Sequence, residues 1–202
     1  MDDGWIALFD GSSTAALRGY GGEGVPSSWV VEDGLLHALP GAGVDLITRD
    51  TFLDFELEFE WRVSPGGNSG VLYRVVENDA PSWSSGAEYQ VLDDALHPDG
   101  RDPRTAAAAL YALIAPNADK RLKPVGAFNA GRIVVSDGRV EHWLNGSPVL
   151  AYEWGGAEIR ALVEDSKFRD MPGFMAAGEG AVAIQHHGEE AWFSRIRIRL
   201  LT

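Results

Sequence analysis

Phe55-Glu56-Leu57-Glu58-Phe59-Glu60-Trp61-Arg62, residues 55–62, decides the fold of this chain. Successive side chains of a β-strand point to opposite faces. Phe55, Leu57, Phe59 and Trp61 therefore share an apolar face, and Glu56, Glu58, Glu60 and Arg62 share a polar one. Such a strand packs on one side and meets water on the other, as in antiparallel sheets. The same alternation returns in Arg195-Ile196-Arg197-Ile198-Arg199-Leu200, with the three arginines read as a solvated outer face.

Working outward, strand signals recur at 5–9, 28–31, 35–39, 45–48, 55–63, 70–76, 88–92, 129–135, 139–144, 181–186 and 192–200. Asp33-Gly34 and Asp137-Gly138 join alternating runs as hairpin turns, and Asn145-Gly146 is a third candidate turn. One helix is expected over 157–166, where Ile159, Leu162 and Val163 recur at helical spacing. It would cover a sheet edge or one end of a sandwich. The Ala-rich stretch 105–111 fits helix or strand. Many short strands with Gly-rich turns predict an all-β sandwich, jelly roll or barrel, and 202 residues fit one domain, 1–202.

A formal net charge of −13 argues against nucleic acid and anionic membrane partners. The first 100 residues hold 18 acidic and 4 basic side chains. No apolar run reaches the length of a membrane span. Met1-Asp2-Asp3-Gly4-Trp5 has neither the basic start nor the apolar stretch of a secretory leader. The expected location is cytoplasmic as the chain is given, or exported if a leader has been removed. The absence of cysteine removes disulfides, thiolate nucleophiles and Cys-based metal sites. There is no Gly-x-Ser-x-Gly elbow, P-loop or Gly-x-Gly-x-x-Gly fingerprint.

Two polar strings sit inside strand signals: Asn68-Ser69-Gly70-Val71-Leu72-Tyr73-Arg74 and Glu88-Tyr89-Gln90-Val91-Leu92-Asp93-Asp94. Period two puts Glu88 and Gln90 on one face, and Leu72 and Arg74 on one face. A sheet face that gathers these groups is expected to line a polar groove, with Arg74 the natural counter-charge to Glu88. In Gln185-His186-His187-Gly188, Gln185 and His187 share a face and His186 takes the other. Adjacent strand histidines point apart and do not readily share one metal ion. A single groove histidine as general acid or base is the stronger reading. Glu60 is the favoured member of the Glu56–Glu58–Glu60 trio, being nearest to the polar loop at Asn68. Lys123 and Asp93 are further polar candidates. Trp83, in a Ser-rich loop, is the best placed aromatic for the groove rim, whereas Tyr89 and Trp143 read as core.

The order of these strings resembles one family. Trp5-Ile6-Ala7-Leu8-Phe9-Asp10-Gly11 is similar to its opening. It is followed by the segments at 29–34, 55–61, 68–74 and 88–94, then Lys123-Pro124, Phe128-Asn129, His142-Trp143-Leu144-Asn145-Gly146, and 184–188 through 193–198. The chain is identified on these motifs as a member of the 3-keto-disaccharide hydrolase domain family. The resemblance implies a concanavalin A-like jelly roll of two antiparallel sheets and a sugar ligand oxidised at C3. A C3 ketone acidifies the C2 proton. Its removal, β-elimination of the C1 substituent and addition of water give net hydrolysis. Glu60, Arg74, Glu88 and His187 are the expected catalytic groups. Asn68, Gln90, Asp93, Lys123, Gln185 and Trp83 are the expected substrate contacts. No metal is assigned. An oxygen-rich, calcium-like cation on Glu88 or Asp93 is more plausible than zinc. Two alternatives stand beside this reading: a lectin-like binding module without turnover, and a retaining glycosidase using the Glu56–Glu60 strand.

Overall fold

The computed structural model describes residues 4–201. Its strands are β1 (Trp5–Phe9), β2 (Leu17–Gly19), β3 (Trp29–Glu32), β4 (Leu35–Ala38), β5 (Leu46–Thr48), β6 (Phe55–Val63), β7 (Asn68–Val75), β8 (Ala87–Leu92), β9 (Asn129–Ser136), β10 (Arg139–Leu144), β11 (Ser147–Glu153), β12 (Ala181–Ile184) and β13 (Ala191–Leu200). One α-helix, α1 (Ala157–Glu164), follows β11. Eight strands form one sheet in the order β11-β10-β9-β6-β13-β4-β3, with β1 also paired to β13. Five form a second sheet, β2-β5-β12-β7-β8. Every named pair is antiparallel.

The alternation in β6 builds the core. Phe55, Leu57, Phe59 and Trp61 are buried in one cluster with Val71, Tyr73, Tyr89 and Val91 from the inner face of the five-stranded sheet. Each such side chain contributes roughly 1.5–3 kcal/mol by leaving water. The three turn dipeptides behave as their chemistry dictates. Asp33-Gly34, Asp137-Gly138 and Asn145-Gly146 all have positive φ at both residues, the signature of the type I′ turn that matches strand twist.

The opposite side of β6 carries a charge ladder. Arg199 and Arg132 pair with Glu56, Arg197 with Glu58, and Arg195 with Glu60, which also accepts from the Ser194 hydroxyl at 2.8 Å. Carboxylates that would repel one another alternate across strands with guanidinium groups. The arginines of β13 are thus paired as well as partly solvated. Trp143 lies on this outer side too, half-buried beneath the Arg132 guanidinium, rather than in the core.

The helix is shorter than its sequence pattern. It buries Ile159 and packs on β11, at the edge of the larger sheet. The Ala-rich stretch forms neither helix nor a full strand. It runs as turns along β8, bonded through Ala108 N to Gln90 O at 2.8 Å and Tyr111 N to Glu88 O at 3.1 Å. β2 and β11 carry no strand signal strong enough to be read beforehand.

Candidate active site

The outer face of the five-stranded sheet holds the site. Register pairs Leu72 with Glu88, Gly70 with Gln90 and Asn68 with Leu92. Gln185, just beyond β12, donates its backbone N–H to Gly70 O at 2.9 Å. Asn68, Glu88, Gln90 and Gln185 therefore meet on one face and line one cavity of about 160 Å³. Its walls come from irregular segments: Trp83 from a short 3-10 turn (Ser82–Ser84), Tyr111 from the Ala-rich stretch, Lys167, Phe168 and Phe174 from the loop after α1, and His187. Trp83, Gln185 and His187 also line a second, more open depression with Tyr20, Gly43 and Asp45. The two compartments meet at these three residues.

Gly70 is required by this arrangement. A Cβ there would stand 2.1 Å from Glu88 Oε1, so the Glu88 carboxyl lies in space that only glycine leaves open. Glu88 is 8% exposed and has no side-chain hydrogen bond or ion pair among the described residues. Burial pushes its carboxyl up to about 8; the charge of Lys167 opposes this, and those of Asp45 and Asp99 add to it. Gln90 donates Nε2–H to Thr105 O at 3.2 Å, while its Oε1 is buried without a partner. The Asn68 amide likewise leaves one of its two polar atoms without a partner. Buried polar atoms without partners are rare in folded proteins, and here two of them belong to one cavity.

Lys167 reaches over three rings, with Nζ 4.4 Å from the Tyr111 centroid, 5.2 Å from Phe168 and 6.0 Å from Trp83. Phe168 and Phe174 stack at 3.8 Å. The result is an aromatic wall bearing one ammonium group opposite a carboxyl floor.

Glu88, Gln90, Asn68, Gln185, His187 and Trp83 thus line one cavity, and His186 turns away from His187 to meet the Trp29 ring edge-on. The other four expected residues lie elsewhere. Arg74 does not face Glu88. β12 pairs Ala181 with Val75 and Ala183 with Leu72, so two residues of β7 oppose one of β12, and Arg74 takes φ +55° at this bulge. The bulge breaks the period-two alternation. Arg74 instead stacks on Trp154 at 4.6 Å, donates to Leu53 O at 3.0 Å and faces Asp54 at 3.6 Å. Glu60 lies on the outer face of the other sheet, in the ladder with Ser194 and Arg195. Proximity in sequence to Asn68 misleads there, because the chain changes sheets between β6 and β7. Asp93 accepts from Gly66 N at 2.8 Å and Ala95 N at 3.0 Å, which makes it a turn-holding carboxylate. Lys123 donates Nζ–H to Phe128 O at 2.7 Å at the far end of β9. Asp93 and Lys123 line a different cavity from Glu88.

Glu88 and Asp93 therefore do not converge on one cation. The ligand-capable side chains that do converge, among the described residues, are His97, His187 and Glu189, with atoms within 4.8 Å of one another. Their hydrogen bonds do not suit a metal. His97 Nδ1 accepts from the Asp99 backbone N–H at 3.1 Å, so the neutral ring carries its proton on Nε2. A ligating histidine ordinarily donates from its second nitrogen. That Nε2–H faces the Asn68 amide at 3.4 Å. It needs an acceptor, so the amide oxygen belongs toward His97, leaving the Asn68 NH2 for the cavity.

Tyr111, Lys167, Phe168, Phe174 and Glu189 were not among the expected site residues. The first four lie in segments without periodic pattern. Glu189 alone carried a local signal, two residues from His187 across a glycine.

A model of the 3-keto-alpha-glucoside-1,2-lyase-like domain matches residues 4–199. A 3-keto-disaccharide hydrolase of Bacteroides thetaiotaomicron is 38% identical over 230 residues, covering 98% of this chain and 79% of that protein. A solved structure of a candidate glycosyl hydrolase from Parabacteroides distasonis superposes with a TM-score of 0.91 at 28% identity, covering 99% of this chain and 95% of that one. A carbohydrate-binding module of Bacillus subtilis (TM-score 0.54, 12% identity, 97% and 95% covered) and the endo-β-1,3(4)-glucanase SCLam (TM-score 0.56, 9% identity, 98% and 92% covered) share the sandwich alone. The fold is a concanavalin A-like jelly roll, and a family model spanning nearly the whole chain, with a relative at this identity, shows that the protein belongs to the 3-keto-alpha-glucoside-1,2-lyase-like family.

Proposed function

We propose that this enzyme cleaves 3-keto-glycosides in the Glu88 cavity by elimination followed by hydration. The observation that carries the reading is the Glu88 carboxyl, buried without a partner beside unpaired amide atoms of Gln90 and Asn68. Those amides suit sugar hydroxyls, and Trp83 at the junction of the two compartments suits a pyranose face. One compartment would take the oxidised ring and the other the leaving group, with the glycosidic bond beside Trp83, Gln185 and His187.

The chemistry follows from the ligand. Removal of the C2 proton sends its electron pair into the C3 carbonyl, giving an enolate. The enolate collapses, forming the C1–C2 double bond as the C1–O bond breaks, and the leaving oxygen takes a proton. Water then adds across C1 and C2. Glu88 is uncharged at neutral pH and holds a proton for the departing oxygen. Lys167 offers the positive charge that an enolate oxygen requires.

A two-carboxylate glycosidase is less well supported. It needs a second carboxyl about 5–5.5 Å from the first; among the described residues Glu88 is the only carboxylic one lining the cavity, and Asp45 in the adjoining compartment is committed to the Ser82 hydroxyl and the His186 backbone N–H. Glu56, Glu58 and Glu60 are paired on the opposite sheet.

The deciding experiment is NMR of a 3-keto-glucoside incubated with the protein in D2O. Deuterium at C2 together with aglycone release, with release lost in Glu88→Gln, is the expected result. Shift changes without exchange or cleavage would replace this reading with a lectin-like one. Cleavage of unoxidised glycosides at a comparable rate would replace it with ordinary glycoside hydrolysis.

A further inference from the structure

The elimination needs a base as well as an acid, and the cavity contains a second proton-handling group with its own support. His187 Nδ1 lies 2.7 Å from Glu189 Oε2. A carboxylate only accepts, so the Nδ1 proton is the donor, and in the neutral ring Nε2 is left with its lone pair. Gly188, at φ +117°, forms the bend between the two residues, in a conformation that favours glycine. The bend is anchored, because Gly188 O accepts from Gly41 N at 2.9 Å. His97 closes the other side, its ring edge-on to His187 at 5.9 Å. His97 has both nitrogens committed, Nδ1 to Asp99 N and Nε2 to Asn68. It therefore supports the His187 ring without competing for its proton.

We propose that Glu189 is a positioning residue that holds His187 as the Nδ1–H tautomer, with the free Nε2 of His187 the base that takes the C2 proton. The proposal rests on the 3-keto-glycoside reading above and adds the division of labour within it. The C2 proton passes to His187 Nε2, Glu189 compensates the imidazolium that forms, and Glu88 supplies the proton to the leaving oxygen. In the hydration half the histidine returns a proton to C2 as Glu88 takes one from water, so both groups end in their starting states. His187 lines both compartments, which places it at their junction, where C1 and C2 of the oxidised ring would lie.

The test begins on the free protein. Long-range ¹H–¹⁵N correlation of the histidine rings at neutral pH is expected to show His187 with Nδ1 protonated and Nε2 bare. In Glu189→Ala the population moves toward Nε2–H, while the His97 signals stay in place. With a 3-keto-glucoside, Glu189→Ala is expected to lower kcat by roughly 10- to 100-fold with KM little changed. His187→Ala is expected to lower C2 exchange by roughly 10²- to 10⁴-fold, the range for a lost general base. An Nε2–H tautomer in the wild-type protein, or a tautomer indifferent to Glu189→Ala, would overturn the proposal. So would tight binding of zinc or manganese by the free protein that is lost in both His97→Ala and His187→Ala, since Nε2 would then be a ligand. The tautomer is read without substrate, so a wild-type protein inert to 3-keto-glucosides would defeat the functional reading and leave this measurement standing.

Discussion

Glu88 is a carboxyl that the fold buries without offering it a hydrogen bond, and the consequences are measurable. Its carboxyl titrates near 8 in the folded protein, against about 4.5 for an unburied glutamate. Between those values the unfolded chain has lost the proton and the folded chain retains it. Folding stability therefore falls as pH rises from 4.5 to 8, by an amount on the order of several kcal/mol. Glu88→Gln copies the protonated carboxyl in shape and removes the titration. The variant is expected to match the wild type in urea unfolding at pH 4 and to exceed it at pH 9, while losing turnover. A site that trades stability for function would show this pattern. Gly70→Ala probes the same feature from below. A methyl group 2.1 Å from Glu88 Oε1 must displace the carboxyl. Activity is expected to drop at least about tenfold, in the range of a lost acid–base group, with the backbone pairing of β7 and β8 retained by circular dichroism.

The paired strands β6 and β13 show what the sequence makes plain and what it conceals. Strict alternation identified both strands, their buried faces and their charged faces, because one-sided burial leaves no other arrangement of Phe55, Leu57, Phe59 and Trp61. It also raised a question, three glutamates in a row on one face, that only pairing answers. Each is matched by an arginine, and Glu56, with 6% of its side chain exposed, is matched by two. Glu56→Ala leaves Arg132 and Arg199 without their shared acceptor and is expected to cost about 1–3 kcal/mol in urea unfolding. Turnover of a 3-keto-glucoside should be unchanged, since the cavity lies on the other sheet. Loss of activity with stability retained would instead favour chemistry on the Glu56–Glu60 strand. Arg74 marks the limit of alternation. The bulge where β7 meets β12 comes from a register shift between strands more than a hundred residues apart, and no local pattern announces it.

At the scale of the whole molecule, the floor of the site was legible and its walls were not. Asn68, Glu88, Gln90 and Gln185 stood out as polar residues at strand positions. Lys167, Phe168 and Phe174 come from a loop whose place over β8 depends on the global fold. A polar network buried between the sheets also ties the layers together. Tyr73 of β7 meets both His142 Nε2 and the Tyr152 hydroxyl at 2.8 Å, and His142 Nδ1 donates to Ala108 O at 3.1 Å. Since His142 Nδ1 carries the proton, Nε2 accepts from the Tyr73 hydroxyl. The chain of bonds links β10 and β11 of the larger sheet to β7 of the smaller one, and to the Ala-rich stretch that backs Glu88. Burial lowers the His142 imidazole to about 4, below the usual 6.5. A group depressed in this way stabilises the fold fully above pH 6.5, and that contribution is lost as pH falls from 6.5 to 4, an effect on the order of 3 kcal/mol. His142→Asn keeps a polar side chain and abolishes the titration. It is expected to be less stable than the wild type by about 1–3 kcal/mol at pH 7, with the gap in urea midpoints closing as the pH is lowered through 6.5 to 4. A gap of constant size across that window would mean that His142 is not held neutral in the fold. Because Glu88 loses stability in the alkaline direction and His142 in the acid one, the difference between each variant and the wild type, rather than the raw profile, separates the two groups.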